Sequence, residues 1–184
     1  MGTTVDWEAR YAALLAEIAA EFPRFRLIRK DRSLLQRSIG VALAVLTFGG
    51  QRRYLEDFVT TLGSRIYVPA DWDARRPEDR WATMRHERVH LDQFRRWGMP
   101  AMAVGYLLVP LPLGLAWCRM RIEAEAYAET LRAIAEHSGR AAAGDPLLRR
   151  NIISMFTGGA YGWMWPFPRA MARWYDAVLA TLPP

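Results

Sequence analysis

The sequence predicts an α+β fold that is mainly helical, with a small β-hairpin ahead of its longest helix. Apolar residues recur at helical spacing through most of the chain, whereas β-prone alternation is confined to short segments. The chain has 184 residues, of which 52% are hydrophobic and 24% charged, which is enough apolar material for a folded core. This length predicts a single domain over residues 1–184.

The first part of the chain mixes helical and extended patterns. Residues 5–21 predict an amphipathic helix that ends before Pro23, and residues 25–29 alternate as in a short strand. A second helix is predicted over residues 34–46, capped by Asp31 or Ser33.

A β-hairpin is predicted from residues 54–61 and 65–68, which flank the turn Leu62-Gly63-Ser64. The edge strand of such a hairpin can bind an extended peptide by strand addition. An ordinary structural hairpin is the alternative, and the residues favour neither.

The remaining elements are helices. A long helix is predicted to begin at Pro77, with acidic residues in its first turn, and to end at Gly98. The others are predicted over residues 113–137, 147–156 and 168–179. Asp145 and Pro146 supply the N-terminal signal of the second of these.

The pattern of charged residues limits which classes of molecule the chain is expected to bind. The formal net charge is +6, and of the 25 basic residues only Lys30 is a lysine. These charges are spread along the chain without a phosphate-binding loop, so no nucleic acid is expected as a partner. Cys118 is the only cysteine, and acidic residues interrupt the N-terminus, which favours a cytoplasmic protein without a signal peptide.

The long helix contains the motif His86-Glu87-Arg88-Val89-His90. Residues four apart lie on one helix face, so both imidazoles can bind one Zn²⁺. Glu87 can reach a metal-bound water without ligating the metal, as the general base of a zinc hydrolase does.

A catalytic zinc ion needs a third protein ligand. Glu123 on the next long helix shares a face with Tyr127 near the apolar side, whereas Glu125 lies on a charged face. Glu123 is therefore the predicted ligand in preference to His137, and an ion pair of Glu123 with Arg119 is the alternative.

The uncharged residues 98–118 are long enough to cross a bilayer, but Pro100, Pro110 and Pro112 do not suit a spanning helix. A single crossing would also put His90 and Glu123 on opposite sides of the membrane. The segment is therefore expected to double back, and it is a candidate for peripheral membrane contact.

His86-Glu87-x-x-His90 followed by Glu123-x-x-Ala126 resembles the gluzincin metallopeptidases, over roughly residues 55–130. Tyr127 stands where their pattern usually has aspartate, and Arg88 puts a charge inside the motif. The resemblance implies a zincin-like metallohydrolase domain, Zn²⁺ held by both histidines and the glutamate, and a peptide or protein substrate.

The oxyanion donor is not identified by the motif. Tyr127 ranks first by position among Tyr67, Tyr161 and His137. The alternative function is a non-catalytic zinc-binding or scaffold protein, although a purely structural site has no use for Glu87. A di-iron bundle would need a second Glu-x-x-His, which the sequence lacks.

Overall fold

The computed structural model describes residues 5–34, 36–38, 58–105, 116–159 and 164–183. These residues are mainly helical with one three-stranded sheet, which confirms the predicted class. Contacts divide the chain into two compact units, with the boundary in sequence between Leu91 and Asp92. The single domain over residues 1–184 stays a prediction.

The helices and strands have the following bounds. Helices are α1 (Trp7–Glu21), α2 (Pro77–Ala103), α3 (Trp117–Ser138), α4 (Arg140–Ala143), α5 (Pro146–Thr157) and α6 (Pro168–Thr181). Strands are β1 (Arg26–Arg29), β2 (Thr60–Leu62) and β3 (Arg65–Val68), and short 3-10 helices cover Lys30–Arg32 and Trp72–Ala74.

The sheet of the first unit has the order β1-β3-β2. β1 runs parallel to β3, β2 runs antiparallel to it, and Ile66 faces Leu27 on one side and Thr61 on the other. Gly63 adopts a φ of 61°, which a residue without Cβ tolerates, in the turn between β2 and β3. The predicted first strand and the hairpin are confirmed, but Phe58 and Val59 precede β2 and Leu62 belongs to it instead of to the turn. Residues 54–57 lie outside the described residues.

Helix α1 begins at Trp7, two residues after the predicted start, because Asp6 caps it and accepts a hydrogen bond from the amide of Ala9 at 3.0 Å. The predicted helix over 34–46 is described only at Leu34 and 36–38, where Ser33 Oγ accepts from the amide of Gln36 at 3.3 Å. Of the two proposed caps, Ser33 is therefore the one that makes this bond.

Ion pairs connect α1 with the start of α2. Arg80 pairs with Glu8, and Arg88 pairs with Glu21 at 2.7 Å and with Glu17 at 3.4 Å. Arg88, the charged residue inside the histidine motif, is therefore paired with acidic side chains of α1.

Helix α2 begins at Pro77 and is interrupted at Gly98, whose φ of 74° and ψ of 164° are not helical. The predicted break is confirmed, but the residues up to Ala103 are helical again, with Pro100 in the resumed first turn. No helix in the described part of the chain is both long and apolar enough to cross a membrane. Peripheral contact of residues 98–118 with a membrane stays a prediction.

The second unit has an apolar core built by α3, α5 and α6, with Leu131, Phe156 and Met171 at 0–2% exposure. Asp145 caps α5 as predicted, accepting from the amide of Leu147 at 2.8 Å. The sequence did not predict α4, a single turn that follows Gly139, whose φ is 85°.

Candidate metal centre

The two histidines of the motif approach each other on one face of α2. His86 Nε2 and His90 Nε2 lie 3.2 Å apart, and the ring planes cross at 74°. In a tetrahedral site with Zn–N distances of about 2.0–2.1 Å, two nitrogen ligands are separated by about 3.3 Å. The observed separation therefore suits two ligands of one ion, and it also suits a hydrogen bond between the imidazoles.

Glu123 occupies a buried position on α3. It is 3% exposed, between the similarly buried Ile122 and Ala124, whereas Glu125 is half-buried. The helical phase predicted this difference. Both histidines belong to the first unit and Glu123 to the second, so Glu123 as the third ligand stays a prediction.

A glutamine that the sequence analysis missed fixes the turn of α3 that carries Glu123. Gln93 is fully buried, and its Nε2 donates to the carbonyl of Ile122 at 3.1 Å and to Glu125 Oε2 at 2.9 Å. Gln93 lies one helical turn after His90. The sequence does contain a signal for Gln93, because a polar residue three positions after His90 lies on the same face of the helix.

Glu87 contacts the sheet of the first unit. Its side chain is 5% exposed, and Oε2 accepts a hydrogen bond of 2.6 Å from the hydroxyl of Thr61 on β2. The carboxylate that the motif predicts as a general base therefore has a fixed partner on the sheet.

Lys30, another residue that the sequence analysis did not assign, is fully buried directly after β1. Burial lowers the pKa of its ammonium to about 8, and the carboxylate of Glu87 acts in the opposite direction. In the sequence, Lys30 is distinguished by composition, because it is the only lysine among 25 basic residues.

The candidate oxyanion donors have different surroundings. The ring of Tyr127 packs on Phe156 with centroids 5.4 Å apart, beside the core of the second unit. Tyr67 is buried in β3, and His137 contacts the hydroxyl of Ser138. Tyr161 lies outside the described residues. The catalytic role of Tyr127 stays a prediction.

Two imidazoles and one carboxylate form a donor set that suits a catalytic zinc ion, with a coordination position left for water. The same set also binds Fe²⁺ in sites with open positions. The donor chemistry thus fits a catalytic metal, and zinc as the resident ion stays a prediction.

Comparison of the chain with models of known protein families, with curated proteins and with solved structures found no match. The resemblance to the gluzincins therefore depends on the motif residues alone.

Proposed function

We propose that this chain is a zinc-dependent metallopeptidase of gluzincin type with a zincin-like fold. His86, His90 and Glu123 would hold the ion, and Glu87 would serve as the general base. The observation that carries the proposal is the 3.2 Å approach of the two imidazole nitrogens, with a buried glutamate in the required position of the same motif.

A bound Zn²⁺ would supply a Lewis acid that lowers the pKa of a coordinated water toward about 7 and polarises the scissile carbonyl. Glu87 would take a proton from the attacking water and return it to the leaving amine. Its contact with Thr61 supports this role, since a general base has to be held in one orientation.

The position of β2 supports an extended peptide as the substrate. Within the described residues, β2 has a neighbouring strand on one side only, and Thr61 on β2 contacts Glu87. A peptide that paired with this edge would run past the general base. Strand β2 and the base therefore lie beside each other in the first unit.

The alternative is a non-catalytic zinc-binding or scaffold protein. It does not explain why Glu87 is buried together with Lys30. A structural zinc site is completed by its ligands. Burial of Glu87 together with Lys30 costs stability that such a site would not require. This observation favours a hydrolase over the alternative.

The proposal is tested by peptide-library hydrolysis with the purified full chain, comparing wild type, Glu87→Gln and a matched control, Glu17→Gln. We expect Glu87→Gln to lose about 10²- to 10⁴-fold in kcat, because a positioned base contributes that much. It should keep its zinc, and the control should retain wild-type kcat. Equal activity in Glu87→Gln would remove Glu87 from the mechanism, and zinc-loaded wild type without hydrolysis would contradict the peptidase assignment.

A further inference from the structure

Strand β2 carries a hydroxyl that contacts the helix of the histidine motif. Thr61 Oγ1 donates to Glu87 Oε2 at 2.6 Å, and 26 residues separate the two in sequence. This distance is at the short end of the range of about 2.5–3.0 Å for O–H···O hydrogen bonds. Both residues belong to the first unit. The bond is therefore a tertiary contact, which forms only when the strand and the helix of this unit pack together.

The sheet fixes the position of the donor. Thr61 is paired with Ile66 of β3 in antiparallel register, and β3 is paired with β1 on its other side. Directly opposite side chains of an antiparallel pair lie on the same face of the sheet, so Thr61 shares its face with Ile66, which is 0% exposed. Threonine is also β-branched, which restricts rotation about χ1 in a strand. The hydroxyl therefore has a position that is set by strand pairing.

The acceptor lies on a packed face of α2. Glu87 is 5% exposed, and Met84 and Leu91, one turn before it and one turn after it on the same face, are 0% and 1% exposed. A polar group that is buried in such a face is normally hydrogen-bonded. Thr61 therefore supplies one of the donors that this carboxylate needs, and it supplies it from an element outside the helix.

We propose that Thr61 is a positioning residue, whose hydroxyl holds the Glu87 carboxylate in one orientation toward the attacking water. A carboxylate is planar, so a hydrogen bond to one of its oxygens also fixes the direction of the other. Orientation matters for a base, because a misplacement of about 1 Å can cost about 10²-fold in rate. The catalytic meaning of this inference rests on the proposed function, whereas the contact itself does not depend on a metal.

A double-mutant cycle tests the contact without a metal. The unfolding equilibrium constant of the full chain is measured in chelator for wild type, Thr61→Val, Glu87→Leu and the double variant. Valine and leucine have similar volumes to the residues that they replace and cannot form this bond. Because both single variants lose the same bond, the unfolding constant of the double variant should be about tenfold below the value that independent effects give. Independent effects of the two substitutions would overturn the proposal.

Kinetics of the zinc-loaded full chain test the orienting role. We expect Thr61→Val to lower kcat by about 10- to 100-fold, with KM and zinc content unchanged, as for residues that orient a catalytic group. Thr61→Ser, which keeps the hydroxyl, should restore most of kcat. The matched control is Thr157→Val, since the Thr157 hydroxyl donates to the carbonyl of Ile153 in its own helix at 3.0 Å, and it should retain wild-type kcat.

The two experiments separate a failure of this inference from a failure of the proposed function. A purely structural bond would make Thr61→Val less stable and leave its kcat at the wild-type value, and that result would overturn the orienting role while Glu87→Gln stays inactive. Zinc-loaded wild type without hydrolysis would refute the proposed function together with the catalytic role of Thr61. The double-mutant cycle would then still decide whether Thr61 and Glu87 are coupled.

Discussion

The first unit buries charge near its histidine motif, whereas the second buries mainly hydrocarbon. Lys30, Arg80 and Glu87 are all less than 10% exposed in the first unit. In the second unit, buried apolar side chains such as Leu131 and Phe156 form a continuous cluster. Because buried charges cost stability unless they are compensated, their concentration in one region favours a chemical role for that region.

The few buried polar side chains of the second unit also favour a chemical role for buried polar groups. Its buried polar side chains among the described residues are Gln93 and Glu123. Gln93 bonds to the backbone of Ile122, directly before Glu123. The buried polarity of the second unit is thus confined to the proposed third ligand and to the residue that fixes its turn.

The largest expected effect lies in the apolar core. Phe156 is 0% exposed and packs between Tyr127 and Trp174, with ring centroids 5.4 Å and 5.3 Å away. Phe156→Ala should lower the free energy of unfolding by about 3–5 kcal/mol, measured by urea denaturation. Leu147→Ala, at a residue that is 57% exposed, is the control and should change it little. A loss below about 1 kcal/mol for Phe156→Ala would contradict the assignment of the core.

Two buried groups, Lys30 of the first region and Tyr175 of the second, should also respond oppositely to alkaline pH. Burial lowers the pKa of Lys30 to about 8 from 10.5, so the unfolded chain binds more protons between these values and stability should rise with pH. Burial raises the pKa of Tyr175 to about 12 from 10.0, so stability should fall as pH increases from 10 to 12. The Tyr175 hydroxyl also donates to the carbonyl of Ala143 at 2.7 Å.

The expected rise is on the order of 1–3 kcal/mol, since one pH unit corresponds to about 1.4 kcal/mol. It is measured as the free energy of unfolding across pH 7–12, with Lys30→Met and Tyr175→Phe as controls. Lys30→Met should abolish the rise. Tyr175→Phe should reduce the fall, to which Tyr11 also contributes because burial raises its pKa as well. Persistence of the rise in Lys30→Met would assign it to another group.

The smallest effect is expected at Arg88, the charge inside the motif. Its ion pairs with Glu17 and Glu21 join side chains that are 30–63% exposed, so Arg88→Ala should cost at most about 1 kcal/mol of unfolding free energy. Hydrolysis should be retained. A loss of kcat comparable to that of Glu87→Gln would place Arg88 in the active site and contradict its role as a partner of α1.

Local signals explain what the sequence predicted well. Asp145 and Pro146 mark the start of α5, and the left-handed Gly139 marks the end of α3, because caps depend on neighbouring residues. The histidine spacing and the burial of Glu123 followed from helical periodicity.

The surroundings of Glu87 could not be predicted in the same way. Thr61 is 26 residues away in sequence, and Lys30 is further still, so their proximity depends on how strands and helix pack. No periodic pattern encodes such contacts. The helical residues after Gly98 were missed because Pro100 was interpreted as a breaker, although it stands in a first turn, where proline is tolerated.

The central claim is that His86, His90 and Glu123 bind one zinc ion, and metal analysis of the purified chain tests it most directly. Wild type should carry about one zinc per chain, and His90→Ala and Glu123→Ala should lose it, because a catalytic site needs three protein ligands. His137→Ala, which removes the remaining histidine, is the matched control and should keep the metal. Wild type without stoichiometric zinc, or zinc retained equally by Glu123→Ala, would contradict the claim.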